Sequence, residues 1–248
     1  MMMSRREFDE YVDSLNYIAE EARTRFANDV WAVWELTRDV DLLHDAISMF
    51  GASYAQTYGS VASMMAADLW ERIYYNDTGE YMSADVDGGE WDEAMEATAD
   101  WMLRDGIEDD AQAADAIRRA NDRMARYVMA GARLTMTRNT RRAYERGARK
   151  ARWARIPTGP ETCAFCIMLA SRGFVYLSEE SAGGLDPDHY HDNCDCQVVA
   201  GFSDDSGVVG FDHTELYDMY LAAREYDDQG RVDLSATLAN MRQRYGFR

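Results

Sequence analysis

All three prolines of this 248-residue chain lie at or after position 157, and their placement constrains the fold more than any other sequence feature. Proline breaks helices because it lacks an amide hydrogen and fixes the backbone angle φ. Nothing before Pro157 therefore forbids helix, and we expect the first 155 residues to be helical. Hydrophobic residues make up 47% of the chain, which is enough to build a core.

Apolar residues recur at three- and four-residue spacing in this first part, which is typical of amphipathic helices. Ser4 and Glu7 form a capping box, and a first helix is predicted to run from it to Thr37. A second helix follows, and Gly51 and Gly59 are expected to kink or split it. The first half of the chain is thus predicted to be a set of long helices.

An acidic, glycine-bearing loop over residues 76–89 precedes a short helix and then a long one that begins near Asp109. The long helix carries a basic stripe, since residues 117–155 hold 13 of the 26 lysines and arginines in a chain of net charge −19. Such a stripe can bind nucleic acid, or it can be neutralised by the acidic remainder of the protein. Both interpretations stay open. A weak, non-specific contact with DNA would use Arg118, Arg119, Arg141, Arg142 and Arg149.

All four cysteines and two of the four histidines lie within 34 residues, as Cys-x-x-Cys and then His-x-His-x-x-Cys-x-Cys. This spacing is typical of a metal site, and thiolate and imidazole ligands favour zinc over calcium or magnesium. The alternatives are two disulfides or free buried thiols. A polar N-terminus without a signal peptide indicates a reducing compartment, which favours the metal. The candidate ligands are Cys163, Cys166, His191, Cys194 and Cys196.

More candidate ligands are present than the four that a zinc ion takes, so the spacing leaves the coordination shell open. Cys194 and Cys196 point to the same face of an extended segment, and both could therefore reach one ion. His191 could replace one of them, and His189 is the weakest candidate. Because a site with only protein ligands is structural, the surplus of ligands favours a structural zinc.

Beyond Pro157 the sequence predicts a small α+β module pinned by zinc. A short helix over residues 167–171 is followed by a strand over residues 174–177, which is expected to form a hairpin with residues 197–199. Two amphipathic helices then close the chain. The fold class is mainly α, with a helical domain over residues 1–156, a Cys/His module over residues 157–202 and an acidic helical tail over residues 203–248.

The segments around the cysteines carry further motifs, namely Ala151-Arg-Trp-Ala-Arg155, Thr162-Cys-Ala-Phe-Cys166, Met168-Leu-Ala-Ser-Arg-Gly173 and His191-Asp-Asn-Cys194-Asp-Cys196. Together with Gly131-Ala-Arg133 upstream, they resemble the phage Mu F-like family of minor head proteins from tailed phages, in its actinobacterial phage and prophage branch. The resemblance covers about residues 40–200. The shared cysteines and histidine of that family correspond to the five candidate ligands given above.

The resemblance implies a head-morphogenesis protein that has a structural or assembly role near the portal. The protein is not expected to be an enzyme, because enough ligands are present to close the metal shell and no acid, base or nucleophile stands at a recognisable catalytic spacing. Its place would be the virion or procapsid, and the host cytoplasm during assembly. Portal, scaffold or major capsid proteins would be its partners. No membrane association is expected, because no apolar run approaches the roughly 20 residues that span a bilayer.

Two enzymatic alternatives involve the histidines. Asp188-His189 could belong to a metal-dependent nuclease of the His-Asn-His type, although the downstream glycine pair usual in such enzymes is missing. A head-associated protease would combine His189 with Ser171, Ser178 or Ser181, but the spacing supports no catalytic triad.

Overall fold

A computed structural model describes residues 2–159, 162–177 and 194–248 of the chain. The protein is mainly helical, as the sequence predicts, and the described residues form seven helices. The first four build a helical body, and the last three belong to the C-terminal part. The helices are α1 (Arg5–Thr37), α2 (Val40–Thr78), α3 (Asp92–Leu103), α4 (Asp110–Glu145), α5 (Ala164–Ala170), α6 (His213–Ala223) and α7 (Leu234–Tyr245).

Side-chain caps fix where the long helices begin. The Ser4 hydroxyl accepts a hydrogen bond from the Glu7 amide at 3.2 Å, which confirms the predicted start of α1. The Asp109 carboxylate accepts from the Gln112 amide at 2.8 Å and starts α4 where the sequence places it. Such caps satisfy amide groups that have no partner inside the helix.

The long helix α4 is the centre of the fold. It packs against α1, α2 and α3, and every residue from Ala125 to Thr137 is buried. The expectation that its arginines all lie on a polar outer face is therefore wrong. Arg126 and Arg133 are only 6% and 2% exposed, because a helix enclosed by three others has no continuous solvent face at its middle.

The helix α2 is continuous from Val40 to Thr78, so the predicted split at its glycines is wrong. Its glycines allow close packing instead. A Cβ atom on Gly131 of α4 would lie 2.5 Å from the Gly59 carbonyl oxygen of α2, and one on Gly51 would overlap the Met95 side chain of α3. At the first crossing the two backbones approach so closely that no larger residue fits, whereas at Gly51 the Met95 side chain fills the space that a larger residue would need.

The loop between α2 and α3 lies along the surface of α4. The Asp85 amide donates to the Asn139 side chain at 2.8 Å, and the Asn139 amide group donates back to the Asp85 carbonyl at 2.8 Å. The carboxylates of Asp85 and Asp87 pair with Arg142 and Arg138 of α4. The loop thereby neutralises part of the basic segment.

Two short strands, β2 (Arg152–Ile156) and β3 (Gln197–Gly201), form an antiparallel sheet. The predicted helix through residue 155 and the predicted hairpin of residues 174–177 with 197–199 are both wrong. The chain leaves α4 at Glu145, Gly147 turns with φ of 115°, and β3 then pairs with β2. Residues 174–177 contribute only one bridge, between Tyr176 and Trp153, whose rings lie 4.9 Å apart.

The remaining elements attach the ends of the chain. The strand β1 (Met2–Met3) pairs in parallel with β4 (Gly207–Val208), and α6 and α7 both pack on α5. The two predicted closing helices are thus confirmed. Among the described residues, no helix combines the length and apolar character that crossing a lipid bilayer requires.

Candidate metal centre

The β2–β3 sheet brings together two cysteine segments that are distant in sequence. Cys166 lies in the first turn of α5, and Cys194 and Cys196 lie in the extended segment that leads into β3. The Tyr176 hydroxyl donates to the Leu169 carbonyl at 2.7 Å and connects α5 to the sheet. The two segments therefore meet beside α4.

Three sulfur atoms form a compact triangle at this place. The Sγ atom of Cys194 is 3.4 Å from the Sγ atoms of both Cys166 and Cys196, and those two are 3.5 Å apart. Cys166 and Cys196 are buried, and Cys194 is partly buried. These three cysteines are close enough together to bind one metal ion.

The distances fit a metal site better than a disulfide. A disulfide bond is about 2.05 Å long, and all four cysteines are free. Tetrahedral zinc with metal–sulfur distances of about 2.3 Å separates its thiolates by about 3.8 Å. The triangle is only a few tenths of an ångström tighter than this value, so the donor set fits a metal ion of this type.

Of the other two predicted ligands, Cys163 lies among the described residues and His191 does not. Cys163 is the N-cap of α5, and its sulfur accepts a hydrogen bond from the Cys166 amide at 3.3 Å. It is 6% exposed and lies next to Cys166, outside the triangle. His191 lies outside the described residues, as does the weaker candidate His189.

Two buried arginines flank the thiols, and the motif spacing does not predict either of them as part of the site. Arg133 of α4 donates to the Cys194 carbonyl at 2.9 Å and to the Cys196 carbonyl at 2.9 and 3.2 Å. Arg155 of β2 is fully buried, and its charge favours the thiolate form of Cys196. Positive charge beside several thiols suits the negative charge of a metal–thiolate centre.

The pKa values of the Cys194 and Cys196 thiols are shifted in opposite directions. Hydrogen bonds from the Cys166 and Cys196 thiols, together with the Arg133 charge, lower the pKa of Cys194. The contact with Cys166 lowers the pKa of Cys196, but the bond to Cys194 and burial outweigh it and raise that pKa. A metal ion would therefore meet one ready thiolate and displace protons from the others.

Asp195, between the two clustered cysteines, attaches their segment to the turn after β2. Its carboxylate accepts a hydrogen bond from the Thr162 hydroxyl at 2.8 Å, and the Thr158 hydroxyl donates to its carbonyl. Burial raises the pKa of Asp195, which weakens its preference for the charged form. These contacts fix the backbone that carries the thiols.

The sequence contains a signal that could have pointed to Arg133. It is the only charged residue between Tyr127 and Thr137, and an arginine that is buried with such an apolar helical stretch needs a polar partner there. No comparable signal marks Asp195, because its role depends on a turn more than thirty residues away.

A family model described as VG15 protein matches residues 2–223. The chain belongs to the VG15 protein family. It is similar to the Gene 15 protein of Mycobacterium phage D29, with 39% identity over 20% of this chain and 28% of that protein. The Gene 15 protein of Mycobacterium phage L5 is 36% identical over 20% of this chain and 29% of its own length.

These matches indicate a phage protein, in agreement with the broader part of the resemblance described above. The alignments span less than a third of the length of either curated relative. No solved structure matches the chain significantly.

Proposed function

We propose that this protein is a minor head protein of a tailed phage, with a structural or assembly role near the portal. The observation that carries the proposal is membership of a phage protein family over residues 2–223, combined with the thiol cluster built from the Mu F-like cysteine motif. In this proposal the protein acts in the procapsid or virion, after synthesis in the host cytoplasm.

The metal ion is proposed to be a structural zinc. Cys166 and Cys196 have exposed fractions of 1% and 0%, so the site offers little access to a substrate. An ion bound there would crosslink α5 to the segment before β3, and Arg133 would connect both to the helical body. A structural metal of this kind adds its binding free energy to the stability of the module.

Cys163 is the proposed fourth ligand. Its sulfur faces the Cys166 amide, and sulfur atoms that ligate a metal as thiolates are good acceptors for such amides. Cys163→Ser is an informative variant, because a serine hydroxyl at the N-cap still accepts from the amide and keeps the start of α5. A loss of zinc would then report the missing ligand and not a damaged helix.

Elemental analysis of the purified protein tests the metal, with an expected content of about one zinc per chain. Cys196→Ser and Cys163→Ser should both bind zinc much more weakly, whereas His191→Ala should keep it. Zinc loss in His191→Ala with normal content in Cys163→Ser would assign the fourth position to the histidine. A metal-free protein with paired disulfides would contradict the site altogether.

We propose further that the protein is not an enzyme. Ser171, one serine of the protease alternative, is buried, and its hydroxyl donates to the Met168 carbonyl at 2.7 Å. The histidine of both enzymatic alternatives, His189, lies outside the described residues. Protein loaded with zinc, magnesium or manganese is expected to leave plasmid DNA and coat protein intact. Metal-dependent cleavage that His189→Ala abolishes without unfolding would favour the nuclease.

Portal, scaffold or major capsid protein is the proposed partner, and the outer face of α2 is the surface that suits it. From position 46 to position 67 this helix has no charged residue, although 29% of the chain is charged. Met49 and Met64 on this stretch are 68% and 54% exposed. Depletion of charge and exposed methionine are typical of the central part of protein interfaces.

Detection of the protein in purified virions and procapsids tests the head assignment. Met49→Lys combined with Met64→Lys should lower incorporation into heads and leave folding and zinc content unchanged. Tyr17→Lys, at an exposed site on α1, is the matched control and should be incorporated normally. Absence of the unmodified protein from both particles would contradict the proposed function.

A further inference from the structure

The exposed arginines of the basic segment differ in their surroundings. In most of α4 they are neutralised by carboxylates. Arg118 and Arg119 both pair with Asp115, at 2.5 and 3.0 Å, and Arg138 and Arg142 pair with the two acids of the α2–α3 loop. These ion pairs connect the arginines to the rest of the fold and offset most of their positive charge.

A second group lies in the turn between α4 and β2 and at the first residue of β2. Among the residues that the structure describes, Arg146, Arg149 and Arg152 have no carboxylate partner, whereas Lys150 in the same turn pairs with Asp204. We call Arg146, Arg149 and Arg152 the turn arginines. They form a local concentration of positive charge on a protein that is acidic as a whole.

Two of the turn arginines are held in a defined arrangement by Tyr144. The guanidinium carbons of Arg149 and Arg152 lie 5.2 and 5.3 Å from the centre of the Tyr144 ring. The turn itself is closed by a hydrogen bond from the Ala148 amide to the Ala143 carbonyl at 3.0 Å. Because the guanidinium groups are already positioned, binding an anion would restrict them little further.

The overall charge of −19 does not cancel this local charge. The guanidinium groups on Tyr144 lie within about 10 Å of each other, which is the Debye length near 0.1 M salt, so their potentials add. Acidic groups beyond that distance are largely screened in solution.

The surface around the turn suits a phosphate backbone better than an acidic protein. None of the exposed large hydrophobic side chains among the described residues comes from α4, the turn or β2. Stable protein interfaces need such side chains at their centre, whereas contacts to phosphates need only charge and hydrogen-bond donors.

We propose that the turn arginines bind the phosphate backbone of DNA, weakly and without reading bases. Of the five arginines that the sequence predicts for DNA contact, only Arg149 belongs to this site. The other four lie on α4 and are paired with carboxylates. The inference rests on the proposed function in one respect, namely the place where the protein would encounter DNA. The binding is measured on the purified chain, so its failure leaves the head assignment intact.

Fluorescence anisotropy with a mixed-sequence double-stranded DNA fragment tests the proposal, at salt concentrations from about 50 to 200 mM. Arg146→Gln combined with Arg149→Gln should weaken binding at least about tenfold and reduce the slope of log affinity against log salt by about 2. Arg118→Gln combined with Arg119→Gln removes the same charge and should bind almost as the unmodified protein does. Arg146→Lys combined with Arg149→Lys keeps the positive charge and should bind DNA almost as the unmodified protein does.

Several results would overturn the assignment. If both double-glutamine variants bind DNA equally more weakly, the affinity depends on the net charge of the protein and not on the turn arginines. Absence of binding by the unmodified protein at low salt would exclude the site, and tighter binding to polyglutamate than to DNA would indicate an acidic protein partner. Thermal unfolding of each variant shows whether a lost signal comes from lost structure.

Discussion

Arg133, in the middle of the central helix, donates two hydrogen bonds to the Cys196 carbonyl, at 2.9 and 3.2 Å. A third hydrogen bond from the same guanidinium reaches the Cys194 carbonyl at 2.9 Å. One buried side chain of the helical body therefore positions the backbone of Cys194 and Cys196, two of the three clustered cysteines. The metal centre and the helix bundle are mechanically connected through it.

Replacing this side chain should weaken metal binding without removing a ligand. Arg133→Met keeps a long apolar stem but leaves two carbonyls without their donor, so we expect zinc affinity to fall about 10- to 100-fold. The free energy of unfolding should also fall, by about 1–3 kcal/mol. Competition with a chelator and denaturant unfolding measure the two effects.

Arg141→Met is the matched control for this variant, since Arg141 is exposed and, within the described part of the chain, pairs only with Glu145 on its own helix. It should leave zinc affinity unchanged. If Arg133→Met binds zinc as tightly as the unmodified protein, the guanidinium does not position the site.

The crossing of α2 and α4 should be sensitive to a single methyl group. In Gly131→Ala the new Cβ would lie 2.5 Å from the Gly59 carbonyl oxygen, so the helices must move apart. We expect the free energy of unfolding to fall by about 1–3 kcal/mol despite the better helix propensity of alanine. Gly207→Ala, whose Cβ would meet only the Met2 side chain at 3.5 Å, should be close to neutral. Equal stability of both variants in urea unfolding would contradict this account of the crossing.

Stability at alkaline pH should depend on Tyr176. Burial raises the pKa of its hydroxyl to about 12, against the charges of Arg172 and Arg155, while in the unfolded chain the pKa is about 10. The folded state therefore keeps a proton that the unfolded state loses. This contribution, about 2 kcal/mol, is complete below pH 10 and is lost as the pH rises towards 12.

Tyr176→Phe tests this linkage by urea unfolding between about pH 8 and pH 11.5. The variant should be about 1 kcal/mol less stable at neutral pH, because the bond to the Leu169 carbonyl is gone. Its stability should then fall less steeply with pH than that of the unmodified protein. Tyr75→Phe, at an exposed site, should keep the unmodified profile. Parallel profiles for all three proteins would exclude Tyr176 as the source.

Much of the helical body could be predicted from the sequence because its signals are local. The cap at Ser4, the cap at Asp109 and the three- and four-residue apolar spacing act within one or two helical turns. The roles of Gly51, Gly59 and Gly131 could not be predicted in this way. A glycine in a helical pattern signals either a break or a close approach, and only the neighbouring helix distinguishes the two.

The strands were harder to predict than the helices. Residues 152–156 follow a basic helix without an intervening proline, and their extended conformation depends on pairing with residues 197–201, which are 41 to 49 positions away in the register. Hydrogen bonds between strands of such separation leave no periodic signal in a five-residue segment.

The mainly helical character of this chain and the two closely spaced cysteine pairs follow from the sequence alone, since helix periodicity and ligand spacing are properties of neighbouring residues. The meeting of Cys166 with Cys194 and Cys196, the support from Arg133, and the carboxylate partners of most α4 arginines follow only from the folded structure. These facts depend on contacts between segments far apart in the chain, where burial and charge pairing are set by packing and not by sequence spacing.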